Sequence, residues 1–228
     1  MNAELVRVTL FSVTMASLAT LVMLPPGVAL GWLLARRRFP GRTVVETVVS
    51  LPLVLPPVAT GLILLRLLGR RGPVGRILDQ AGVEVIFTWK AVVVAMAVMG
   101  LPLLVRAARA GFEQVDHRFE QIAATLGASP IRVFFSITLP LARRGVMAGS
   151  MLGFSRALGE FGATIMIAGA LPGTRTLSTA IYSYSQTGRD TAAMVLLAVA
   201  ATIAFVAVFI SNRLDSGHLA QPPSPSDA

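Results

Sequence analysis

The sequence predicts an all-α integral membrane protein with five transmembrane helices. Hydrophobic residues make up 54% of its 228 residues and charged residues only 14%, and the mean hydropathy is +0.73. One soluble core of this length would not bury so much apolar surface. A helix needs about 20 residues to cross a hydrocarbon core of about 30 Å, and five apolar stretches reach that length. They are residues 8–35, 44–67, 88–109, 146–169 and 191–212.

The first stretch, 8–35, has the position of a secretory signal peptide. It is longer than a signal core, and Arg36, Arg37 and Arg38 follow it as a stop-transfer flank. We therefore expect it to be retained as the first span.

The basic residues that flank the spans predict the orientation. Alternating loops place 36–43, 110–145 and the C-terminus on one side, which carries eleven of the 20 lysine and arginine residues, against eight on the other. Because cytoplasmic flanks carry the excess of basic residues, we expect the N-terminus outside and the C-terminus inside. The polar, proline-rich end of the chain, 213–228, predicts a disordered cytoplasmic tail. Four residues on the outer side oppose this assignment: Arg66, Arg70, Arg71 and Arg76.

The composition also argues against several classes of function. The net charge of +9 comes mostly from membrane-flanking arginines, and no basic surface with interleaved aromatic residues indicates nucleic-acid binding. The absence of cysteine excludes thiolate metal sites, and two histidines leave little for an imidazole site, so no metal site is expected.

Prolines lie within the first three spans. Pro25-Pro26 interrupts the first, Pro52 and Pro56-Pro57 the second, and Pro102 the third. Each removes an intrahelical hydrogen-bond donor within the bilayer. These helices are either ordinary kinked spans or broken helices that border a water-filled path.

The fourth span contains a row of glycines and a pair of charges. Gly145, Gly149 and Gly153 repeat every four residues, which predicts a face for close helix packing. Arg156 and Glu160 lie one turn apart on the same side of the helix. A charge at membrane depth is costly unless paired or hydrated. The pair therefore either lines a translocation path or only fixes the helix. For an anionic ligand, Arg156 is the better contact.

Glycines surround Glu160 and predict a bend there, because each weakens the helix by about 1 kcal/mol relative to alanine. We take this stretch as the candidate gate or path. Its residues are Arg156, Gly159, Glu160, Phe161, Gly162 and Thr164.

The loop 110–145 predicts a short amphipathic helix, a sharp turn and a second helix that returns to the membrane. Phe119, Ile122, Ala123 and Leu126 recur at helical spacing and form an apolar stripe. Gly127 is placed for a left-handed C-terminal residue, and Ser129-Pro130 for an N-cap and first turn. The apolar stripe needs a surface to lie against.

The spacing of this loop resembles the EAA signature of ABC importer permeases, whose consensus is E-A-A-x3-G-x9-I-x-L-P. The matching positions are Gln121, Ile122, Ala123, Gly127, Ile137, Leu139 and Pro140. Gln121 replaces the glutamate and Ile122 the first alanine, while Glu120 lies one position early. The resemblance implies a type I ABC importer transmembrane domain over 8–212, whose loop docks into a groove of a separate cytoplasmic ATPase.

Further stretches are similar to the molybdate permease subfamily. They are Arg36 to Gly41, Leu51 to Pro57, Gly69 to Gly72, Leu158 to Thr164 and Pro172 to Thr176. The Gly-Glu-Phe-Gly stretch is shared with sulfate permeases, so tungstate and sulfate or thiosulfate remain alternative substrates.

The resemblance also implies the assembly: a homodimer of this permease in the inner membrane of a prokaryote, two ATPase copies that bind ATP and Mg, and a periplasmic or lipid-anchored oxyanion-binding protein. A Walker A loop requires Gly-x4-Gly-Lys-Ser/Thr, and Trp89 precedes the only lysine, Lys90. This chain therefore lacks its own ATP site, and the resemblance assigns hydrolysis to the partner.

Two other classes fit less well. A membrane enzyme needs converging acid, base, nucleophile or metal ligands, and Arg156 with Glu160 is too sparse a set, so no catalytic residue is expected. A passive channel or scaffold would explain the spans but not the helix-glycine-helix loop.

Overall fold

The computed structural model describes residues 2–215, and these residues form helices connected by short turns, with no β-strand. The helices are α1 (Asn2–Arg36), α2 (Arg42–Val54), α3 (Pro57–Leu68), α4 (Pro73–Gln80), α5 (Trp89–Glu113), α6 (His117–Thr125), α7 (Pro130–Val133), α8 (Leu139–Leu158), α9 (Gly162–Ala168), α10 (Leu177–Gln186) and α11 (Asp190–Asp215), with a π-helical segment, Phe134–Thr138, between α7 and α8.

Three of these helices are long and apolar enough to cross a membrane: α1, α5 and α11. They coincide with the first, third and fifth predicted spans. Of the two alternatives for their prolines, kinked spans or broken helices, the structure excludes the break at these positions, because α1 continues through Pro25-Pro26 and α5 through Pro102. Both helices are held by packing: a Cβ at Gly31 of α1 would lie 2.9 Å from the Cβ of Ala108 in α5.

The second predicted span is broken. Its two halves, α2 and α3, meet at an angle of 116°. Leu55, between them, has an extended backbone with ψ 142°, the conformation that a following proline enforces. Pro56 and Pro57 thus turn the chain sharply, and the bent pair counts as one further span at most.

The fourth predicted span is also divided. Its first part lies within α8, which begins at Leu139 and ends at Leu158, and its last part forms α9. Neither helix is among those that meet the length and hydropathy required of a span. The described residues therefore contain three such helices, or four with the bent pair, and the count of five and the orientation stay predictions.

The end of the chain differs from the expected tail. Helix α11 runs to Asp215, so the predicted disordered segment 213–228 begins within a helix. Its remaining part, 216–228, lies outside the described residues.

Helix α5 is the centre of the fold, since α1 packs on one side of it and α8 on another. Met96, Met99, Leu104 and Phe112 of α5 are completely buried. The long contact between α5 and α8 positions α8, at whose ends the candidate functional residues lie.

The ends of α1, α10 and α11 opposite α6 are tied by polar contacts. The N–H of Leu177 donates to the Ser12 Oγ at 2.7 Å, and Glu4 pairs with Arg175 at 3.4 Å. Burial raises the pKa of the Tyr184 phenol in the same region. Arg189, directly before α11, lies 3.7 Å from the same Glu4, so these contacts link α1 to the starts of α10 and α11.

Candidate functional site

The α6–α7 hairpin, residues 117–133, has the helix-turn-helix form that the sequence predicts. Asp116 caps α6, its carboxylate accepting from the N–H of Arg118 at 2.9 Å. After α6, Gly127 has a φ of +82°, and the N–H of Ala128 returns to the carbonyl of Ala123 at 3.0 Å, which closes the helix end. Ser129 then caps α7. The cap and turn positions of the hairpin are therefore fixed by local hydrogen bonds.

The apolar stripe of α6 has no surface to bury against within the described chain. Phe119 is 53% exposed, Ile122 58% and Leu126 82%, while Ala123 is half-buried. Apolar side chains grouped in this way mark an interaction surface. Ile131 of α7 and Phe135 of the π-helical segment Phe134–Thr138 are also largely exposed. The sequence analysis missed both, although their spacing of four residues is a helical one.

The second half of the signature has a different position. Ile137 and Leu139 are half-buried, and Pro140 is the second residue of α8. They lie in or beside the π-helical segment Phe134–Thr138, which joins the hairpin to α8. These residues form a junction with the helix bundle rather than part of the exposed stripe, and Gln121 is exposed.

Glu120 points away from the exposed stripe and toward the bundle. Its Oε1 lies 3.3 Å from Nη2 of Arg36, at the end of α1. The same oxygen accepts from the hydroxyl of Thr138 at 2.6 Å. The sequence offered no signal for this contact, because Arg36 and Glu120 are far apart along the chain.

Aromatic rings fill the space beside Glu120. Phe134 of the π-helical segment packs edge-on against Trp32 of α1, with ring centroids 5.6 Å apart. It also lies 6.2 Å from the ring of Phe112 in α5. The base of the hairpin is therefore packed against two long helices.

The glycine row of α8 lies against α5 and α1. A Cβ at Gly145 would lie 2.6 Å from the Cα of Gly111, one at Gly149 3.0 Å from the carbonyl oxygen of Leu104, and one at Gly153 2.5 Å from Cε of Met23. Larger residues would separate these helices, so the row sets the distance between α8 and its neighbours.

At the other end of α8, Glu160 occupies the break before α9. Its side chain is 1% exposed, and Oε2 accepts from Nη1 of Arg156 at 2.9 Å. Its Oε1 accepts from the N–H of Ala163 at 2.7 Å. Both carboxylate oxygens therefore have partners, and the charge is paired locally. Arg156 is 27% exposed, so it is the member of the pair that reaches the surface.

The two broken helices meet beside this pair. A Cβ at Gly162 would lie 2.7 Å from the Cβ of Pro57, and one at Gly61 2.8 Å from the Cα of Ala163. Gly159 is exposed and ends α8, while Phe161 precedes α9 and packs against Tyr182 at 5.1 Å. The breaks of the second and fourth predicted spans thus form one region.

Two buried hydroxyls and one strained residue belong to the same region. Thr60 of α3 and Thr164 of α9 are buried, and neither hydroxyl has a hydrogen-bond partner within the described chain. Phe87, with a φ of +61°, donates its N–H to the carbonyl of Ile167 at 2.9 Å. A bulky residue in the left-handed region is strained, and here it holds the end of α9.

Known proteins of similar sequence agree in family. Residues 27–217 match the family described as "Binding-protein-dependent transport system inner membrane component". The "Molybdenum transport system permease protein ModB" of Escherichia coli is 46% identical over 211 residues, which cover 91% of this chain and 92% of that protein. The "Putative molybdenum transport system permease protein YvgM" of Bacillus subtilis is 39% identical, with 92% and 94% covered.

Solved structures agree in fold. A chain of the bacterial alginate ABC transporter, in complex with an alginate pentasaccharide-bound periplasmic protein, has a TM-score of 0.68 at 19% identity, covering 92% of this chain and 77% of that one. A chain of the inward-facing MetNI methionine ABC transporter has a TM-score of 0.66 at 18% identity, with 94% and 97% covered. The fold is that of a type I ABC importer transmembrane domain, and the chain belongs to the family of binding-protein-dependent transport system inner membrane components.

Proposed function

We propose that this chain is the permease subunit of an ATP-driven importer that moves molybdate across the cytoplasmic membrane. The observation that carries the proposal is the exposed apolar stripe of Phe119, Ile122 and Leu126 on a hairpin joined directly to α5 and α8. An amphipathic helix with an apolar face suits recognition in a groove of a partner protein. The choice of molybdate rests on the names of the relatives reported above.

The proposed assembly contains two copies of this permease, two copies of a cytoplasmic ABC ATPase and a periplasmic or lipid-anchored oxyanion-binding protein. The ATPase subunits bind ATP and Mg. The complex lies in the inner membrane of a prokaryote, with the N-terminus of this chain outside and the α6–α7 hairpin inside.

Transport proceeds by alternating access. ATP binding draws the two ATPase subunits together, and the grooves that hold the hairpins move with them. Because the hairpin continues into α5 at one end and α8 at the other, its displacement reorients both helices. The ATPase shifts the equilibrium between inward-open and outward-open states only through its different affinity for the two.

Helix α8 carries that displacement to the region of the broken helices. Its 20 residues span about 30 Å at 1.5 Å per residue, from the hairpin to Arg156. In this proposal Arg156, the partly exposed member of the buried pair, attracts the divalent oxyanion. Glu160 holds Arg156 in place through their hydrogen bond. It does not itself contact the substrate, because its carboxylate is buried and would repel an anion.

The test is to purify the chain with its ATPase and reconstitute both with the binding protein in proteoliposomes. We expect ATP-dependent uptake of molybdate and stimulation of ATP hydrolysis by the loaded binding protein. Ile122→Asp should abolish both and release the ATPase, whereas Ile122→Leu should keep them. Failure of the parent chain to hold an ATPase would overturn the proposed function.

The substrate is tested in the same vesicles with tungstate and sulfate. Preferential uptake of either would keep the importer and replace molybdate as its substrate. Uptake of uncharged solutes without ATP, at the same rate as uptake of the oxyanions, would instead indicate a channel.

A further inference from the structure

Arg36 is a nearly buried cation at the end of α1. Its side chain is 5% exposed, and its Nη2 donates to the carbonyl of Val115 at 2.8 Å as well as facing Glu120. Val115 lies in the turn between α5 and α6. The guanidinium thus holds the entry to the hairpin and the hairpin itself.

Glu120 completes a bridge among three elements. Its side chain is 20% exposed, and its Oε1 contacts both Arg36 of α1 and Thr138 of the π-helical segment. Thr138 is 1% exposed, so this contact is shielded from solvent. On the solvent-exposed side of the bridge, Nδ1 of His117 lies 3.3 Å from Oε2 of Glu120. One carboxylate therefore links α1, α6 and the segment that leads into α8.

The bridge supplies an attachment that the covalent chain lacks. The hairpin is bonded to α5 through the turn at Asp116 and to α8 through the π-helical segment. It has no direct bond to α1, because α1 leaves the hairpin region at Arg36 and the chain returns only after α5. Without the bridge, α1 would follow the hairpin through the packing of Trp32 on Phe134, the contact of Arg36 with Val115 and its packing against α5, none of which reaches α6 itself.

The side chain of Glu120 does not contribute to the exposed apolar stripe. It lies on the opposite face of α6 from Ile122, which is more than half exposed. A solvated glutamate would avoid the desolvation that this position imposes, so its placement needs its partners.

We propose that Glu120 is a positioning residue that makes α1 move together with the α6–α7 hairpin, so that displacement by the ATPase reaches α1 as well as α5 and α8. The inference rests on the proposed function, since it assumes that an ATPase displaces the hairpin. It assigns a role to the Arg36–Glu120–Thr138 bridge in transmission and not in ATPase binding.

The first test is Glu120→Gln in the complete reconstituted complex. Glutamine keeps the shape and an acceptor for Thr138 but loses the charge that faces Arg36. We expect ATPase association and basal hydrolysis to stay within twofold of the parent, while stimulation by the loaded binding protein and uptake fall at least tenfold. The matched control is Glu113→Gln, an exposed carboxylate paired with Arg109 one turn before the hairpin, which should change none of these readouts.

A second test separates positioning from stability. The chain has no cysteine, so Arg37→Cys and Ala124→Cys, on either side of the cavity beside Glu120, can be joined by a short bismaleimide crosslinker. In the parent the crosslink should leave stimulated hydrolysis within twofold, because the two elements already move together. In Glu120→Gln it should restore the stimulation that was lost.

The outcomes are distinct. Normal stimulation in Glu120→Gln, or loss of stimulation on crosslinking the parent, overturns the bridge while leaving the importer intact. Loss of ATPase association in Glu120→Gln also overturns it, because the residue would then act in docking. A parent complex that shows no stimulation overturns the proposed function, and the bridge's role with it.

Discussion

The α6–α7 hairpin and the break between α8 and α9 lie at opposite ends of α8. They differ in whether their side chains find partners within the chain. In the hairpin, large apolar side chains remain exposed, and only the backbone and the inward-facing Glu120 are satisfied within the chain. At the break, a carboxylate is buried, yet both of its oxygens have partners three and four residues away. The hairpin thus leaves an apolar surface uncovered within the described chain, whereas the carboxylate at the break is satisfied by the chain itself.

This difference changes how buried charge is interpreted. A charge in a membrane segment is a functional candidate by default. Here Glu160 closes the gap between two helices by accepting from Arg156 and from the backbone of Ala163, so its structural role is visible in the fold. The exposed hydrophobic residues of the hairpin have no comparable structural explanation.

Removing the carboxylate at the break should have the largest effect on stability. Glu160→Ala leaves the Arg156 guanidinium unpaired and the Ala163 N–H unsatisfied, and losing one member of a buried pair is strongly destabilising. Since Arg156 is partly exposed, we expect a loss of about 3 kcal/mol, near the lower end of the range for such pairs. Denaturant unfolding in detergent micelles measures it.

Glu113→Ala is the control, because its carboxylate belongs to a half-exposed surface pair and should cost no more than about 0.5 kcal/mol. A Glu160→Ala protein of unchanged stability that cannot transport would place Glu160 in the path and erase the contrast between the two regions.

Placing a charge on the exposed stripe should leave folding unchanged and weaken partner binding. Leu126→Asp alters a side chain that is 82% exposed, and surface changes of this kind stay within about 0.5 kcal/mol. Burial of a leucine against the ATPase is worth about 2 kcal/mol, so association should weaken about 30-fold. Titration of labelled ATPase against the reconstituted chain measures it.

Leu126→Met keeps the apolar contact and serves as the matched variant, with affinity within a few-fold of the parent. If Leu126→Asp lost as much stability as Glu160→Ala, Leu126 would be buried between two copies of the permease and would not face the ATPase.

The turn of the hairpin should be the next most sensitive position. Gly127 has a positive φ, and no atom lies within 4 Å of a Cβ placed there. Glycine is therefore favoured at this position by the backbone conformation and not by lack of space for a side chain. Gly127→Val should cost about 1–2 kcal/mol locally and weaken ATPase association by about tenfold.

Gly127→Asn tests the reason, because asparagine tolerates the left-handed region better than other residues and should retain most of the affinity. If both variants lose the same affinity for the ATPase, the ATPase groove must exclude any side chain at position 127. The requirement for glycine would then be steric and would come from the partner.

The sequence predicted the hairpin better than the break, for a physical reason. The hairpin depends on interactions within a few residues: the Asp116 and Ser129 caps, the glycine turn and an apolar period of 3.6. Such local patterns are readable in one sequence. The bend at Glu160 was also indicated by its glycines, and the all-helical class followed from composition.

Contacts between distant residues were not readable. Nothing near Glu120 indicates Arg36, and nothing near Gly61 indicates Ala163. Prolines were also ambiguous, because Pro25-Pro26 and Pro102 lie in continuous helices while Pro56-Pro57 turns the chain by 116°. Tertiary packing decides whether a helix passes through a proline, and that packing is not a local property.

The smallest expected effect compares the capping carboxylates of the two regions. Asp116 accepts from the N–H of Arg118 at 2.9 Å, as Glu160 does from Ala163, but Asp116 is exposed and has no paired arginine in the described contacts. Asp116→Ala should therefore cost only about 1 kcal/mol, as loss of an N-cap does, and this cost should be confined to α6. Amide hydrogen exchange in the first turn of α6 should become about fivefold faster, while Asp116→Asn, which can still accept, should stay near the parent rate. If exchange also accelerates in α5 and α8, the hairpin does not unfold as a local unit. Its stability would then depend on the helix bundle, as the stability of the break does.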